Sequence, residues 1–586
     1  MTSDIPADFA VRTDHYDHIR RVVDVPMRDD VSLRTVLFLP RTSTPAPVVL
    51  ERTPYDATKR SSRAPQSTRV GMWLPPHLGE LVEAGYIVAV QDVRGKHSSG
   101  GTYDLAGDVN ITDAWDTIEW LVTNVEECNG RVATFGVSYS GTTTLLSMLD
   151  PHPALAAAVP INPLVDGWLG DDWTHNGAFR QQTAMEYVYW QTASTASEFP
   201  FPVHGYDVFE SWLSAGSAAA MAEKVGMSAL PVWQRMLEHP DYDEYWQRQA
   251  IQRRLPDRTR DVPTLLVHSQ WDAEDIDGSL RTHPTLPHSH LVIGPWSHGG
   301  VMTERGDCLG PLHFGSDTAA WFRREVLLPF LDEHTRQGPA AGLAPVIAFE
   351  TGSNVWRTHD RWPASPGSRD VFLSAEGQLT FDEPLGVGFD EYVSDPQKPV
   401  PYYPRPIRPC FDETSPWSRW LVFDQRFACD RPDVLVYTSE VLTEPVRLAG
   451  APQVHLRIST TGTDADWVVK LIDVYPDEVP RQVELGGYQL AVTMDVLRAR
   501  YRDDPATPTP LPAEEIVELT FPLPHVAHAF LPGHRLMVQV QSTWFPLYDR
   551  NPQTFVPRIT DADPQTYTTA THRLHRGSRI ALPVTT

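Results

Sequence analysis

Acyl transfer without a cofactor needs a hydroxyl nucleophile, an imidazole to take its proton and a carboxylate to orient the imidazole. The chain sets a hydroxyl in a suitable place at Arg131-Val-Ala-Thr-Phe-Gly136-Val-Ser138-Tyr139-Ser140-Gly141, where a short apolar run passes through a glycine-flanked serine into a helix-compatible segment. Gly136 permits a sharp strand-to-helix turn that lifts the Ser138 hydroxyl above a sheet edge, and the Tyr139 N–H at the helix start then faces a developing oxyanion. The usual G-x-S-x-G spacing is altered, because the closing glycine comes one residue later and Ser140 occupies its place. Only one serine fits the apex of such a turn. Ser138, two residues after Gly136, is that serine, and Ser140 falls in the first helical turn. Glycine and serine also make ordinary turns, so the motif alone is weak.

The partners follow in the order Ser, Asp, His. After the apolar run Thr264 to His268 comes Ser269-Gln-Trp271-Asp272, and after His290 to Ile293 comes Gly294-Pro-Trp296-Ser297-His298-Gly299-Gly300. Asp272 and His298 each lie just past the C-terminal end of an expected strand, where open α/β sheets place their chemistry. The chain holds 22 histidines, so it is the order and the strand context, not the residue types, that select these two. A second oxyanion donor is expected after an early strand. There Glu51-Arg52-Thr53-Pro54-Tyr55-Asp56 follows Val48-Val-Leu, and Tyr55 offers its phenol O–H beside the Tyr139 N–H. A tyrosine packed under Pro54 in a turn is the competing reading.

These residues need a sheet to hold them. Pro47 to Glu51, Tyr86 to Val90, Val132 to Phe135, Leu155 to Val159, Thr264 to His268 and His290 to Ile293 are short β-rich runs of the buried, parallel type. Asp113 to Val122 and Thr142 to Leu149 place apolar residues at helical spacing between them. Alternation of this kind implies a doubly wound α/β sheet. Ahead of it, a polar arm to about residue 20 leads into Val22 to Pro40, which alternates like a hairpin with an acidic turn at Asp29-Asp30. From residue 166 to 260 the β-signal vanishes and the chain turns Ala-, Trp-, Gln- and Met-rich, which predicts a helical cap inserted between a first part of the α/β domain (1–165) and a second (261–335). A helix from about Ser316 to His334 closes that second part, and Arg336-Gln-Gly-Pro-Ala-Ala-Gly reads as a linker. From 344 to 586, short alternating strands separated by Pro, Asp and Gly turns predict an all-β sandwich of jelly-roll type.

Composition narrows the partners. Lys+Arg 49 against Asp+Glu 75 gives a net charge of −26, which turns nucleic acid, anionic lipid and heavily phosphorylated substrates away from the surface as a whole and suits a cationic or neutral small molecule. The start, Met1-Thr-Ser-Asp-Ile-Pro-Ala-Asp-Phe, has neither a basic nor an apolar leader segment, and no apolar run reaches membrane-spanning length, so a cytoplasmic protein without a membrane partner is expected. Four scattered cysteines (Cys128, Cys308, Cys410, Cys429) give neither a disulfide framework nor zinc spacing, and no metal or cofactor is expected. Cys410 and Cys429 would pair only in an exported protein; two reduced thiols is the simpler reading.

Taken together, the chain resembles the cocaine-esterase-like and Xaa-Pro dipeptidyl-peptidase-like (CocE/NonD) serine hydrolases, in which an α/β-hydrolase domain carries a helical cap and a C-terminal jelly-roll. Within that family it is most similar to α-amino acid ester hydrolases. The likeness runs through Arg52-Thr-Pro-Tyr-Asp, Gln91-Asp-Val-Arg-Gly-Lys, Asn129-Gly-Arg-Val, Leu149-Asp-Pro-His-Pro-Ala-Leu, Val165 to Arg180 and Trp271-Asp-Ala-Glu-Asp275, the last two being the specific ones. The resemblance implies Ser138 as nucleophile, Asp272 and His298 as its partners, and Tyr55 with the Tyr139 amide as the oxyanion hole. It also implies a carboxylate cluster, Asp172, Glu274 and Asp275, that binds the substrate's α-ammonium group, and a homo-oligomeric state. The activity implied is acyl transfer from α-amino acid esters, and from amides including β-lactams with an α-amino acyl chain, to water or an amine. A general carboxylesterase, an Xaa-Pro dipeptidyl-peptidase and an inert hydrolase scaffold with a binding jelly-roll are the alternatives. The chain departs from the pattern at Ser140, where an acidic residue is expected, and in lacking the export signal of the best-known esterases of this subtype.

Overall fold

The computed structural model describes residues 15–585 apart from 106, 197–198, 303–304 and 385. Ten strands form one sheet: β1 (His18–Pro26), β2 (Ser32–Pro40), β3 (Ala46–Thr53), β4 (Ile87–Asp92), β5 (Cys128–Val137), β6 (Leu155–Ile161), β7 (Thr264–Trp271), β8 (Ser289–Ser297), β9 (Val346–Glu350) and β10 (Val355–His359). Their order is β1-β2-β4-β3-β5-β6-β7-β8-β9-β10. The block from β4 to β9 is parallel, whereas the β1–β2 hairpin and β10 are antiparallel edges. The hairpin is the one expected from its alternation; of the N-terminal arm, residues 1–14 lie outside the described residues.

Every residue of β3 and β4 is buried, as a parallel sheet covered on both faces requires. The period of two sorts them. Val49, Val88 and Val90 face a layer with Leu78, Leu81, Phe330 and Leu331, while Val48, Leu50, Ile87 and Ala89 face Ile118, Leu121, Leu145 and Leu146 on the other side. The sheet continues past residue 344: β9 pairs with β8, and β10 with β9, so residues 346–359 extend the α/β sheet instead of opening the sandwich. The physical reason is that parallel β9 covers the edge of β8, which would otherwise leave a row of unpaired backbone groups.

Six helices between Gln181 and Arg254 make the cap, the longest being Gln181–Thr192. No helix among the described residues is long and apolar enough to cross a membrane. The C-terminal part is an antiparallel sandwich, with Gln453–Thr460, Ala570–His575 and Arg579–Leu582 in one sheet and Asp466–Val474, Gln489–Arg498 and Arg535–Gln541 in another. Leu456 and Ile458 from the first meet Trp467, Leu471 and Val538 from the second in one core. Cap and sandwich share a further core in which Met185, Trp212 and Trp233 pack with Tyr402, Trp420 and Phe545. The α/β hydrolase with a C-terminal all-β domain expected from the sequence is therefore the fold observed.

Candidate active site

Four neighbouring parallel strands end on one edge, β5 level with β6 and β7 level with β8, while β7 runs on from Val267, the partner of Ile161, to Trp271. Val137, Ile161, Trp271 and Ser297 are the last residues of β5, β6, β7 and β8, and Ser138, Asn162, Asp272 and His298 are the next residue in each case. Parallel pairing thus delivers a hydroxyl, an amide, a carboxylate and an imidazole to one edge.

Ser138 sits at φ 59°, ψ −127°, a region costly for a side chain, of order 1–3 kcal/mol. Backbone bonds hold it there: Ser138 N donates to Ile161 O at 2.9 Å, and Ser138 O accepts from Thr142 N at 2.9 Å. The glycines serve close approach. A Cβ on residue 136 would lie 2.3 Å from Ser140 Cβ, and one on residue 141 would lie 2.8 Å from Ile161 O. The strain therefore falls on Ser138 and not on Gly136, whose role is to let the Tyr139–Leu146 helix cross the end of β5. Ser140 is 1% exposed, inside that helix, and its carbonyl accepts the Thr143 and Thr144 hydroxyls. Of the two serines, the apex belongs to Ser138.

His298 Nδ1 lies 2.9 and 3.0 Å from the two Asp272 oxygens. Asp272 also accepts from the Glu274 N–H at 2.8 Å and from Asn162 Nδ2. The His298 loop lies against the elbow, since a Cβ on Gly299 would sit 3.2 Å from Val137 Cγ1. The other ring nitrogen, Nε2, is 3.5 Å from Glu274 Oε2. Burial disfavours the imidazolium, but the carboxylates of Asp272, Glu274 and Asp172 outweigh it and push the His298 pKa up to about 10.

Asp172, Glu274 and Asp275 are brought together beside His298. Asp275 is 1% exposed, and neither of its oxygens accepts a hydrogen bond from a protein donor. Burial first, then the charges of Asp172 and Asp272, hold its pKa well above the usual carboxylate range. Burial and the charge of Glu274 raise Asp172 to about 7, against the opposing charges of Arg180 and His298. Glu274 Oε1 accepts from Trp417 Nε1 at 2.8 Å. Arg180 approaches but does not neutralise the cluster, because its guanidinium donates to the main-chain carbonyls of Asp171, Ala273 and Glu274. Asp171, the neighbour of Asp172, is a structural acceptor for the N–H groups of Val165 and Asp166.

Tyr55 reaches the same region. Burial holds its phenol well above the ordinary pKa, with the charges of Glu274 and Asp172 adding to the effect, so it is a neutral O–H donor. Its O–H lies 2.9 Å from Tyr187 O–H, and Trp190 stacks on its ring. Tyr139 begins the helix after Ser138, and its ring stacks on Tyr103. Cys410 and Cys429 are both free thiols.

Three contributors escaped the sequence reading. Asn162 has no motif of its own and is legible only as the residue after β6. Trp417 opens the short 3₁₀ helix Trp417–Val422 of the C-terminal part, 143 positions from Glu274, and no periodicity marks it. Tyr187 lies on a cap helix that is buried along most of its length, so its polar tip is not signalled by amphipathic spacing.

Comparison with known proteins agrees with the geometry. Residues 29–300 match the X-Pro dipeptidyl-peptidase (S15 family) domain and residues 339–581 the X-Pro dipeptidyl-peptidase C-terminal non-catalytic domain. The cocaine esterase of Rhodococcus sp. (strain MB1 Bresler) is 31% identical, over 96% of this chain and 98% of its own. Among solved structures, an aminopeptidase from a marine sediment archaeon, Thaumarchaeota archaeon, is 45% identical with a TM-score of 0.96 over 99% of both chains. A selenomethionine-labelled α-amino acid ester hydrolase is 44% identical with a TM-score of 0.96 over 100% of both. The chain belongs to the cocaine-esterase-like and X-Pro dipeptidyl-peptidase (S15) family of serine hydrolases.

Proposed function

We propose that the protein is an α-amino acyl hydrolase and transferase that works through an acyl-enzyme on Ser138. The observation that carries this reading is a buried cluster of three carboxylates, Asp172, Glu274 and Asp275, which no Lys or Arg among the described residues meets in a salt bridge, His298 being the one cationic side chain against Glu274, and in which both Asp275 oxygens are left without donors. A cluster of this kind repels itself until a cation enters. One ammonium at about 4 Å from a carboxylate gains up to roughly 4 kcal/mol at an effective dielectric near 20, before desolvation is subtracted. Among the described residues no set of His, Cys, Asp and Glu has metal-holding geometry, which favours an organic cation as the guest.

In this mechanism His298 Nε2 takes the Ser138 proton as Oγ attacks the acyl carbon. The Tyr55 O–H and the Tyr139 N–H receive the oxyanion. His298 returns the proton to the leaving alcohol or amine, and water or a second amine repeats the steps in reverse to release the acyl group. Asp272 orients the ring and stabilises the imidazolium. Because Glu274 lies 3.5 Å from the base itself, the cation it binds sits next to the scissile carbonyl. That separation favours an α-amino acyl group over a dipeptidyl one, whose amine is a residue further away. The names of the two nearly superimposable neighbours, an aminopeptidase and an α-amino acid ester hydrolase, point the same way.

The test is a pair of esters, phenylglycine methyl ester and its des-amino counterpart methyl phenylacetate. Glu274→Gln and Asp172→Asn should raise KM for the first far more than for the second, and equal effects on both would remove the ammonium site from the mechanism.

A further inference from the structure

The carboxylate cluster is acidic; the surface beside Tyr55 is basic. A groove of about 670 Å³ opens there, with Tyr55 and Trp190 in its wall and Lys59, Arg60 and Arg63 along its lining. Its size matches that of a small-molecule site. Its charge runs against that of the molecule, which carries −26 overall. Arg60 shares Glu51, at 3.3 Å, and the Thr53 hydroxyl, at 3.2 Å. Arg63 donates to the main-chain oxygen of Leu74 at 3.5 Å. Neither Lys59 nor Arg63, both exposed, is paired with a carboxylate among the described residues. The field of these cations reaches inward. The buried imidazole of His77 is driven down to about 3, by burial and then by Arg60, with Arg323 and then Arg63 adding smaller effects. Phe411, stacked on Trp190 at 5.4 Å, extends the aromatic wall.

From this juxtaposition of Lys59, Arg60 and Arg63 with the oxyanion-side tyrosine Tyr55 we propose that the groove receives the leaving group or the incoming nucleophile, and that this group is a carboxylate-bearing alcohol or amine. The proposal rests on the ammonium reading of the acidic pocket for the full substrate, which is then a zwitterion spanning the site. Its ammonium enters the acidic cluster, its scissile carbonyl lies at Ser138, and its carboxylate faces Lys59 and Arg63. Exposed ion pairs are individually weak, so two of them supply about tenfold in kcat/KM, and salt screens them.

Four esters separate this inference from the reading beneath it: the phenylglycyl and phenylacetyl esters of glycolate and of glycolamide. The phenylglycyl-to-phenylacetyl ratio reports the ammonium pocket, whereas the glycolate-to-glycolamide ratio reports the groove within either acyl series. We expect glycolate to be preferred about tenfold at low salt, with the preference shrinking as ionic strength rises. It should also collapse in Lys59→Glu/Arg63→Glu. The salt series on the unaltered protein needs no variant and stands if the double variant does not fold. Equal kcat/KM for glycolate and glycolamide at low salt in the unaltered protein overturns the proposal. Loss of the phenylglycyl preference with the glycolate preference intact overturns only the ammonium reading.

Discussion

His298 Nε2 lies 3.5 Å from Oε2 of Glu274. The nitrogen that must face the Ser138 hydroxyl is thus in the field of a carboxylate assigned to substrate binding. With Asp272 on Nδ1 and Glu274 near Nε2, the imidazolium is favoured, and the empty site holds its base protonated at neutral pH. On the proposed function, an arriving ammonium would offset the charge of Glu274 and return the base to use, so that binding of the cation and activation of the nucleophile would be one event.

The pH dependence follows with a definite sign. The raised His298 pKa places the acidic limb of kcat/KM well above neutrality for any substrate, since this parameter reports the free enzyme. Removing a negative charge lowers that pKa, so Glu274→Gln should move the limb toward lower pH by roughly one to three units. In kcat, which reports the complex, the unaltered enzyme should show a lower limb with phenylglycine methyl ester than with methyl phenylacetate. Coincident kcat limbs for the two esters would break the link between Glu274 and the base.

At the elbow, Ser138→Ala should abolish acyl-enzyme formation and cut kcat by about 10⁴-fold or more. Intact-mass and peptide mapping after fluorophosphonate treatment should place the adduct on Ser138. Labelling of Ser140, which is buried within the helix, would contradict the assignment.

Gly136→Ala sets a Cβ 2.3 Å from Ser140 Cβ, and neither atom lies at the end of a flexible chain. The helix must shift, at a cost of about 1–3 kcal/mol of stability. A fall in Tm together with a loss of kcat larger than the change in KM is expected. An unchanged melting curve would mean that the crossing is looser than described.

Tyr55→Phe removes one oxyanion donor and should lower kcat by about 10²–10³-fold with KM little altered. Tyr187→Phe leaves the Tyr55 O–H in place but removes its partner at 2.9 Å, so a smaller loss in kcat is expected. Equal effects would show that the two hydroxyls act as a unit.

Asp275→Asn tests the proton bookkeeping of the cluster. Burial and like charge raise the folded-state pKa of Asp275 above its unfolded value, so ionisation opposes folding once pH exceeds the ordinary carboxylate range. Replacement by a neutral isostere should leave stability unaltered at acidic pH and raise Tm at neutral pH and above, while KM for phenylglycine methyl ester increases. A Tm gain that is independent of pH would assign the effect to packing.

What the sequence alone determined was local and periodic. Buried β-runs and intervening helices declared the α/β sheet, and the residue following each strand end named Ser138, Asp272 and His298, because parallel strands open their C-terminal ends on one edge. The resemblance added Asp172, Glu274 and Asp275. Tertiary structure decided what those residues feel. Trp417 reaches Glu274 from a 3₁₀ helix of the C-terminal part, Tyr187 meets Tyr55 from the cap, and Asn162 joins Asp272 from the end of the neighbouring strand. Only packing extends the sheet through residues 346–359 and sets a basic groove with Tyr55 in its wall. Hydrogen-bond partners and electrostatic fields depend on distances between segments far apart in the chain. Sequence spacing carries no record of those distances, whereas burial of an apolar face leaves its period in every strand and helix.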